Sequence, residues 1–205
     1  MLTAMLDAVM ERRTRRLMDQ VGDWLPSDGP LLDLGSGTGH VSAWLEQRRG
    51  VEVVAADVSD IHVAGPAPVL IGDETLPFAD GRFSAVLLLF MLAYPADPVR
   101  VLAEAARVSR GPVILVQTVY SGRVGQAWHR GREFFWTVVA FHVSKFFGYV
   151  PRGAAFAMHT RRFYTAASLQ RGVTAAGLRI RSRRERPVLP GRALVVAGWL
   201  LEPDA

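Results

Sequence analysis

The run Leu31-Leu32-Asp33-Leu34-Gly35-Ser36-Gly37-Thr38-Gly39 sets an acid and three alternating glycines directly after a short apolar stretch, and a helical pattern opens at His40. Glycine lets a chain turn sharply at a strand end and bring its backbone close to a ligand. The helix that follows presents unpaired N–H groups and a partial positive charge. Such a turn suits an adenosine cofactor. Dinucleotide-binding turns read G-x-G-x-x-G, whereas here His40 stands at the third glycine position and the spacing is G-x-G-x-G. A second acid closes the stretch Val51-Glu52-Val53-Val54-Ala55-Ala56-Asp57. In open α/β sheets ligands sit beyond the carboxyl ends of the strands, and an acid about 20 residues past the glycines accepts hydrogen bonds from ribose hydroxyls. Nicotinamide enzymes share this device, so Asp57 speaks for a nucleoside without selecting the cofactor.

The G-x-G-x-G turn, with Asp33 two residues ahead of it, is similar to the first motif of class I S-adenosylmethionine-dependent methyltransferases. The block Gly72-Asp73-Glu74-Thr75-Leu76-Pro77-Phe78-Ala79-Asp80-Gly81-Arg82-Phe83-Ser84 and the apolar run Ala85 to Leu92 resemble the matching block of the small-molecule group that includes the ubiquinone and menaquinone biosynthesis methyltransferases. Asp97 to Val108 resembles that group's helix before the fifth strand. The resemblance runs from Leu31 to Gln117. It implies S-adenosylmethionine as cofactor, with a cationic methionine end that Asp33 attracts and ribose hydroxyls on Asp57. It also implies adenine recognition by Asp73 and a carbonyl edge near Phe90 for the methionine ammonium. Gly35, Ser36, Gly37, Gly39, Val58 and Glu74 complete the implied cofactor set. Two departures stand out: Ser84 where the group often has aspartate, and Ala93 and Tyr94 where it has histidine. The tetrapeptide that marks amino-group methylation of DNA or protein glutamine is absent, Phe90-Met91-Leu92-Ala93 standing in its place. Nucleic acid is therefore a disfavoured partner.

Positioning these residues requires an α/β chain. The patterns predict helix 3–25, strand 31–35, helix 39–49, strand 51–57, a short strand 68–72, strand 84–90, helix 97–109 and strand 112–119. A helix follows at 165–176, with Thr165 as N-cap and Gly177 as its stop, and then strands 178–186 and 192–201. The fold class expected is a Rossmann-like, seven-stranded methyltransferase sheet, mostly parallel with a C-terminal antiparallel strand, helices on both faces and a helical insertion after the fifth strand. Between Asp57 and Val69 a full crossover helix does not fit, and Gly65, Pro66 and Pro68 argue against one. A loop is expected there, and a thinner wall beside the adenine. The chain reads as one domain over 1–205: an N-terminal helix within 1–30, a cofactor core at 31–119, a helical cap at 120–164, and the last helix and strands at 165–205.

With 205 residues, half of them hydrophobic, the chain can bury a sizeable core. It has no cysteine, which excludes disulfides, thiol nucleophiles and thiolate metal sites and fits the cytoplasm. The amphipathic N-terminal segment lacks the apolar core of a signal peptide and is expected to pack on the sheet and help close the cofactor pocket. Residues 1–110 carry 10 basic and 15 acidic residues, and residues 111–205 carry 14 and 4. The basic half suits an anionic partner, whether lipid headgroup, phosphorylated substrate or RNA. Every basic residue but Lys145 is arginine, which also fits biased coding composition with no partner at all.

The stretch Arg132 to Val150 is the most aromatic part of the chain. It is too short and interrupted to span a bilayer. It reads as a lid over an apolar substrate, a homodimer interface, a peripheral membrane-contact helix, or plain core packing. The lid is the preferred functional reading, with a small, largely apolar acceptor beneath it. The five histidines, His40, His62, His129, His142 and His159, show no paired ligand spacing, so no metal site is expected. A phenol or enol acceptor would need a base near neutrality, for which histidine is suited. His159 is the first choice, with Tyr94, Tyr120, His129 and Tyr164 as the other polar groups of the acceptor mouth. RNA methylation and a nucleoside-binding scaffold without chemistry are the alternatives.

Overall fold

The computed structural model describes residues 2–72, 75–135 and 160–204. Seven strands form one sheet in the order β3-β2-β1-β4-β5-β7-β6. β1 (Leu31–Leu34), β2 (Val53–Asp57), β3 (Val69–Leu70), β4 (Ala85–Leu89) and β5 (Val113–Tyr120) run parallel. β7 (Leu194–Pro203) enters antiparallel against β5 and pairs antiparallel with β6 (Leu178–Pro187), the sheet edge. The expected sheet and its C-terminal antiparallel strand are therefore present.

The parallel strands are apolar on both faces because helices cover both. Leu32, Leu34, Val86, Leu88 and Leu115 face one cluster, with Leu102 of α3 (Pro98–Val108) and Leu169 of α5 (Ala166–Ala175). Leu31, Leu87, Ile114 and Val116 face the other, with Leu17 and Val21 of α1 (Leu2–Val21) and Leu45 of α2 (His40–Arg49). Strand alternation thus sends Asp33, in phase with Leu31, into the α2 side. α1 fits so closely that a Cβ on Gly198 of β7 would lie 2.7 Å from Val21 Cγ1. Gln20 Nε2 donates to the Val196 carbonyl at 3.1 Å, tying the helix to β7.

The helix starts follow their capping residues. Asp97 Oδ1 accepts from the Val99 and Arg100 N–H groups, with Pro98 at the first helical position. Thr165 and Ser168 form a reciprocal capping box on α5. No helix lies between β2 and β3; residues 58–68 cross as a loop, as their prolines and glycine predict. The wall after β3 is held from α3: Glu104 accepts from the Leu76 N–H at 2.9 Å, and Arg107 donates to the Leu76 and Phe78 carbonyls. α4 (Gly122–Phe134) follows β5, so the described part of the expected cap begins as a helix. A Cβ on its Gly125 would sit 1.9 Å from the Ala193 oxygen, so glycine is what lets α4 lie against the chain entering β7. No described helix is long and apolar enough to cross a membrane.

Candidate functional site

Three glycines after β1 share a left-handed backbone, with φ of 77° at Gly35, 57° at Gly37 and 79° at Gly39, which favours glycine at each. Their surroundings separate their roles. A Cβ on Gly35 would lie 2.6 Å from Met91 Cβ, and one on Gly39 would lie 2.1 Å from the Ala64 oxygen. Those two glycines are required by the protein's own packing. A Cβ on Gly37 would meet nothing within 4 Å. Gly37 therefore presents bare backbone to open space, the place where a ligand can approach the main chain.

Asp57, at the end of β2, organises this turn. Its Oδ2 accepts the Gly37 N–H at 2.8 Å and its Oδ1 accepts the Ser59 N–H at 3.3 Å. A carboxylate offers about four acceptor sites, so each oxygen retains capacity for a hydroxyl. Behind it the loop 58–68 closes on the turn. The Val63 and Ala64 N–H groups donate to the Thr38 carbonyl. His62 Nδ1 lies 2.5 Å from the Pro66 carbonyl and Nε2 lies 2.8 Å from Ser36 Oγ. A carbonyl only accepts, so Nδ1 carries a proton, and in the neutral ring Nε2 accepts from the Ser36 hydroxyl. Nothing in the spacing of His62 announced this contact; the loop that replaces the crossover helix creates it. Val58 is exposed at the start of that loop.

Asp33 lies beneath the turn, 1% exposed. The Ser42 hydroxyl, in the first turn of α2, donates to its Oδ2 at 2.7 Å. Burial pushes its carboxyl up to about 6, opposed by the Ser42 hydrogen bond and the His62 charge and reinforced by Asp57. It ties β1 to α2 and acts on the turn above it through its field. Ser42 was legible only as a hydroxyl near a helix start. A mostly apolar cavity is lined by Leu34, Val58, Ile71, Gly72, Thr75, Leu76, Met91 and Pro95, with Val101 and Glu104 of α3. Asp73 and Glu74 lie outside the described residues, as do His142, His159 and the rest of 136–159.

The other side of the site opens at the end of β4. Phe90 has φ of 61°, a conformation that L side chains rarely adopt, and its N–H donates to the Val116 carbonyl at 2.8 Å. The Arg13 guanidinium of α1 sits 4.7 Å from the Phe90 ring centroid. Chain returning to α5 packs here: the Arg161 and Arg162 N–H groups donate to the Ala93 carbonyl, and Arg162 Nη1 donates to the Pro95 carbonyl at 2.9 Å. Tyr94 is half-buried, and burial, with Glu133 adding to it, pushes its phenol above the ordinary range. Tyr120 is half-buried at the end of β5, its N–H on the Tyr164 carbonyl.

Tyr164, expected at the acceptor mouth, packs among core residues in this fold. It is buried in the core, and its hydroxyl donates to the Leu92 carbonyl at 3.0 Å, holding the β4 exit to the chain before α5. His129 is likewise buried on α4, edge-on to Phe163 at 4.9 Å, with Nδ1 lacking a hydrogen-bond partner among the described residues and 3.9 Å from Glu133 Oε1. Burial lowers its basicity, with Arg132 adding to the effect. The site thus gathers Gly37, Asp57 and the Asp33 field on one side, and Phe90, Tyr94 and Arg13 on the other. Arg13 and His62 are the residues that sequence reasoning missed. Arg13 gave a signal only as part of a basic run, Arg12 to Arg16, on a helix read for its apolar stripe.

Residues 6–183 match the family model described as a methyltransferase domain. The chain is 41% identical over 98 residues to a demethylmenaquinone methyltransferase of Beutenbergia cavernae, a match covering 44% of this chain and 40% of that protein. The chain thus spans less than half the length of the curated relatives it matches. Among solved structures, a chain from a Haloferax volcanii complex containing a methyltransferase activator superposes with a TM-score of 0.66 at 16% identity, covering 96% of this chain and 93% of that one. Geranyl diphosphate C-methyltransferase from Streptomyces coelicolor superposes with a TM-score of 0.61 at 15% identity, covering 98% and 83%. At such identities these two structures show the shared fold.

Proposed function

The chain belongs to the methyltransferase-domain family, and from that premise we propose that, as a single domain, it binds S-adenosylmethionine across the carboxyl ends of β1, β2 and β4 and methylates a small, largely apolar acceptor. The observation that carries this reading is the pairing at Gly37: bare backbone facing open space, its N–H fixed by Asp57 Oδ2 at 2.8 Å. A nucleoside fits that cradle, with ribose hydroxyls on the remaining lone pairs of Asp57. The apolar cavity between Leu34, Ile71 and Met91 suits an adenine face, and the adenine contact that the resemblance implies is assigned to Asp73, with Glu74 beside it in sequence. The Phe90 carbonyl end of β4 would take the methionine ammonium. The buried charge of Asp33 favours a cationic ligand over a neutral one.

When bound, S-adenosylmethionine would supply an electrophilic methyl on a sulfonium, open to in-line displacement by an acceptor nucleophile with the bonding pair left on sulfur. The protein's work is alignment and exclusion of water, which can supply much of the rate. The turn and Asp57 fix the nucleoside, and the β4 exit with α4 walls the acceptor side. His129 is buried against Phe163, away from an arriving acceptor, so base catalysis, where the acceptor needs it, falls to His159, Tyr94 or solvent.

Isothermal titration with S-adenosylmethionine, S-adenosylhomocysteine and NAD tests the reading. Both sulfur nucleosides should bind more tightly than NAD; the reverse order would overturn it. The RNA alternative loses its main support at the basic edge strand. Arg181 pairs with Glu202, Arg183 and Arg192 pair with Glu185, and Arg184 pairs with Asp23. Much of the arginine excess on β6 is thus answered within the chain.

A further inference from the structure

Arg13 has a specific setting at the exit of β4. On the same helix Arg15 is answered by Glu11 at 2.6 Å. Arg13 is not: among the described residues no carboxylate pairs with it, and it rests against the Phe90 ring, whose centroid is 4.7 Å from the guanidinium carbon. The charged and titratable groups that bear on it are Tyr94 and Arg132. Glu133 of α4 is already engaged. It pairs with Arg132 at 3.2 Å and accepts the Thr160 hydroxyl at 3.2 Å.

Arg13 is exposed to solvent, lies over an aromatic ring, and has Arg132 adding repulsion. A guanidinium in such a place is stabilised by an arriving oxyanion, which its planar fork meets with two parallel hydrogen bonds. The ring beneath it is held in a backbone conformation unusual for phenylalanine. That places an aromatic wall and a guanidinium side by side at the exit of β4, on the side of the cleft away from Gly37 and Asp57. An apolar body with one anionic group matches this pair; a neutral hydrocarbon would leave the cation unanswered.

We propose that Arg13, seated on Phe90 with Tyr94 and Arg132 around it, is the anion anchor of the acceptor site and takes the carboxylate or phosphate of an otherwise apolar acceptor. The proposal rests on the methyltransferase reading for the word acceptor. The same oxyanion chemistry has a second source, the methionine carboxylate of the cofactor, and the test separates the two.

The full-length chain, saturated with S-adenosylhomocysteine, is titrated with phenylphosphate, benzoate and neutral benzyl alcohol, as wild type, Arg13→Gln and Arg13→Lys. S-adenosylhomocysteine is titrated into each protein separately. Phenylphosphate and benzoate should bind wild type and weaken about tenfold or more in Arg13→Gln, the range for losing a charged hydrogen-bond partner. Arg13→Lys should lie between them, and benzyl alcohol should not discriminate. Nucleoside affinity should stay within about twofold across the three. A tenfold loss of S-adenosylhomocysteine affinity in Arg13→Gln would assign Arg13 to the cofactor carboxylate and overturn the proposal. Equal anion binding in wild type and Arg13→Gln, or none in wild type, would overturn it as well. Failure of wild type to bind either sulfur nucleoside would instead remove the methyltransferase reading, and the same titration without nucleoside would then read the anion site alone.

Discussion

Replacing Asp33 with asparagine should stabilise the protein at neutral pH while weakening its preference for a cationic cofactor. The native carboxyl titrates at about 6 against an ordinary 3.8, chiefly because it is buried. At 1.36 kcal/mol per pKa unit this difference corresponds to about 3 kcal/mol. The sign follows from proton uptake. Between pH 3.8 and 6 the native chain holds a proton that the unfolded chain releases, so this contribution to stability is fully present below 3.8 and is lost as pH rises through about 6. The amide that replaces the carboxyl in Asp33→Asn would not ionise, and its oxygen can still accept the Ser42 hydroxyl. His62 and Asp57, the other charged groups acting on this carboxyl, remain in both proteins. Urea unfolding from pH 4 to 8 should therefore show wild type losing about 3 kcal/mol relative to Asp33→Asn, mostly before pH 6.5. Over the same range S-adenosylmethionine should gain on S-adenosylhomocysteine in wild type, because only the former is a sulfonium that ionised Asp33 attracts. Asp33→Asn should show no such gain. Parallel stability profiles, or a mutant less stable than wild type at pH 7, would refute the reasoning, because either result means that the carboxylate is not destabilised by its burial.

Asp57→Ala should weaken S-adenosylmethionine binding by about 1.5–3 kcal/mol, the range for hydrogen bonds to a charged group; unchanged affinity in the folded variant would show the ribose to lie elsewhere. Asp73→Ala should weaken it less, by the same titration. Gly37→Val and Gly39→Ala should separate binding from folding. The first meets open space and a left-handed φ, so it should fold at a cost of about 1–2 kcal/mol and bind no cofactor, whereas the second drives a methyl into the Ala64 carbonyl and should lower the melting temperature further. Asp97→Ala, which removes the cap of α3, should cost about 1 kcal/mol in unfolding experiments and leave cofactor affinity unchanged.

What the sequence made legible and what it hid divide along one physical line. The strands, the turn and the helix caps are specified locally. Leu31 to Leu34, the glycines that follow, Asp97-Pro98, and Thr165 with Ser168 each carry their conformational instruction within a few residues. The missing crossover helix was equally local, written in Gly65, Pro66 and Pro68. The electrostatics of the site are set by residues distant in sequence. Asp33 is buried because strand alternation turns it towards α2, where Ser42 meets it. Its carboxyl rises because the helices on that face exclude water. Arg13 meets Phe90 across 77 positions of chain, a distance at which periodicity says only that α1 has an apolar face. Tyr164 looked available because tyrosines near a cleft can serve an acceptor; the bridge between Val119 and Tyr164 brings it into the core, where its hydroxyl meets the Leu92 carbonyl. The same fold that buries two expected acceptor groups, Tyr164 and His129, leaves Arg13 as a cation without a carboxylate partner among the described residues. The turn proposed to bind a nucleoside can be read from the alphabet of one loop, while the proposed choice of acceptor rests on a distant charge that the packing leaves without a carboxylate partner among the described residues.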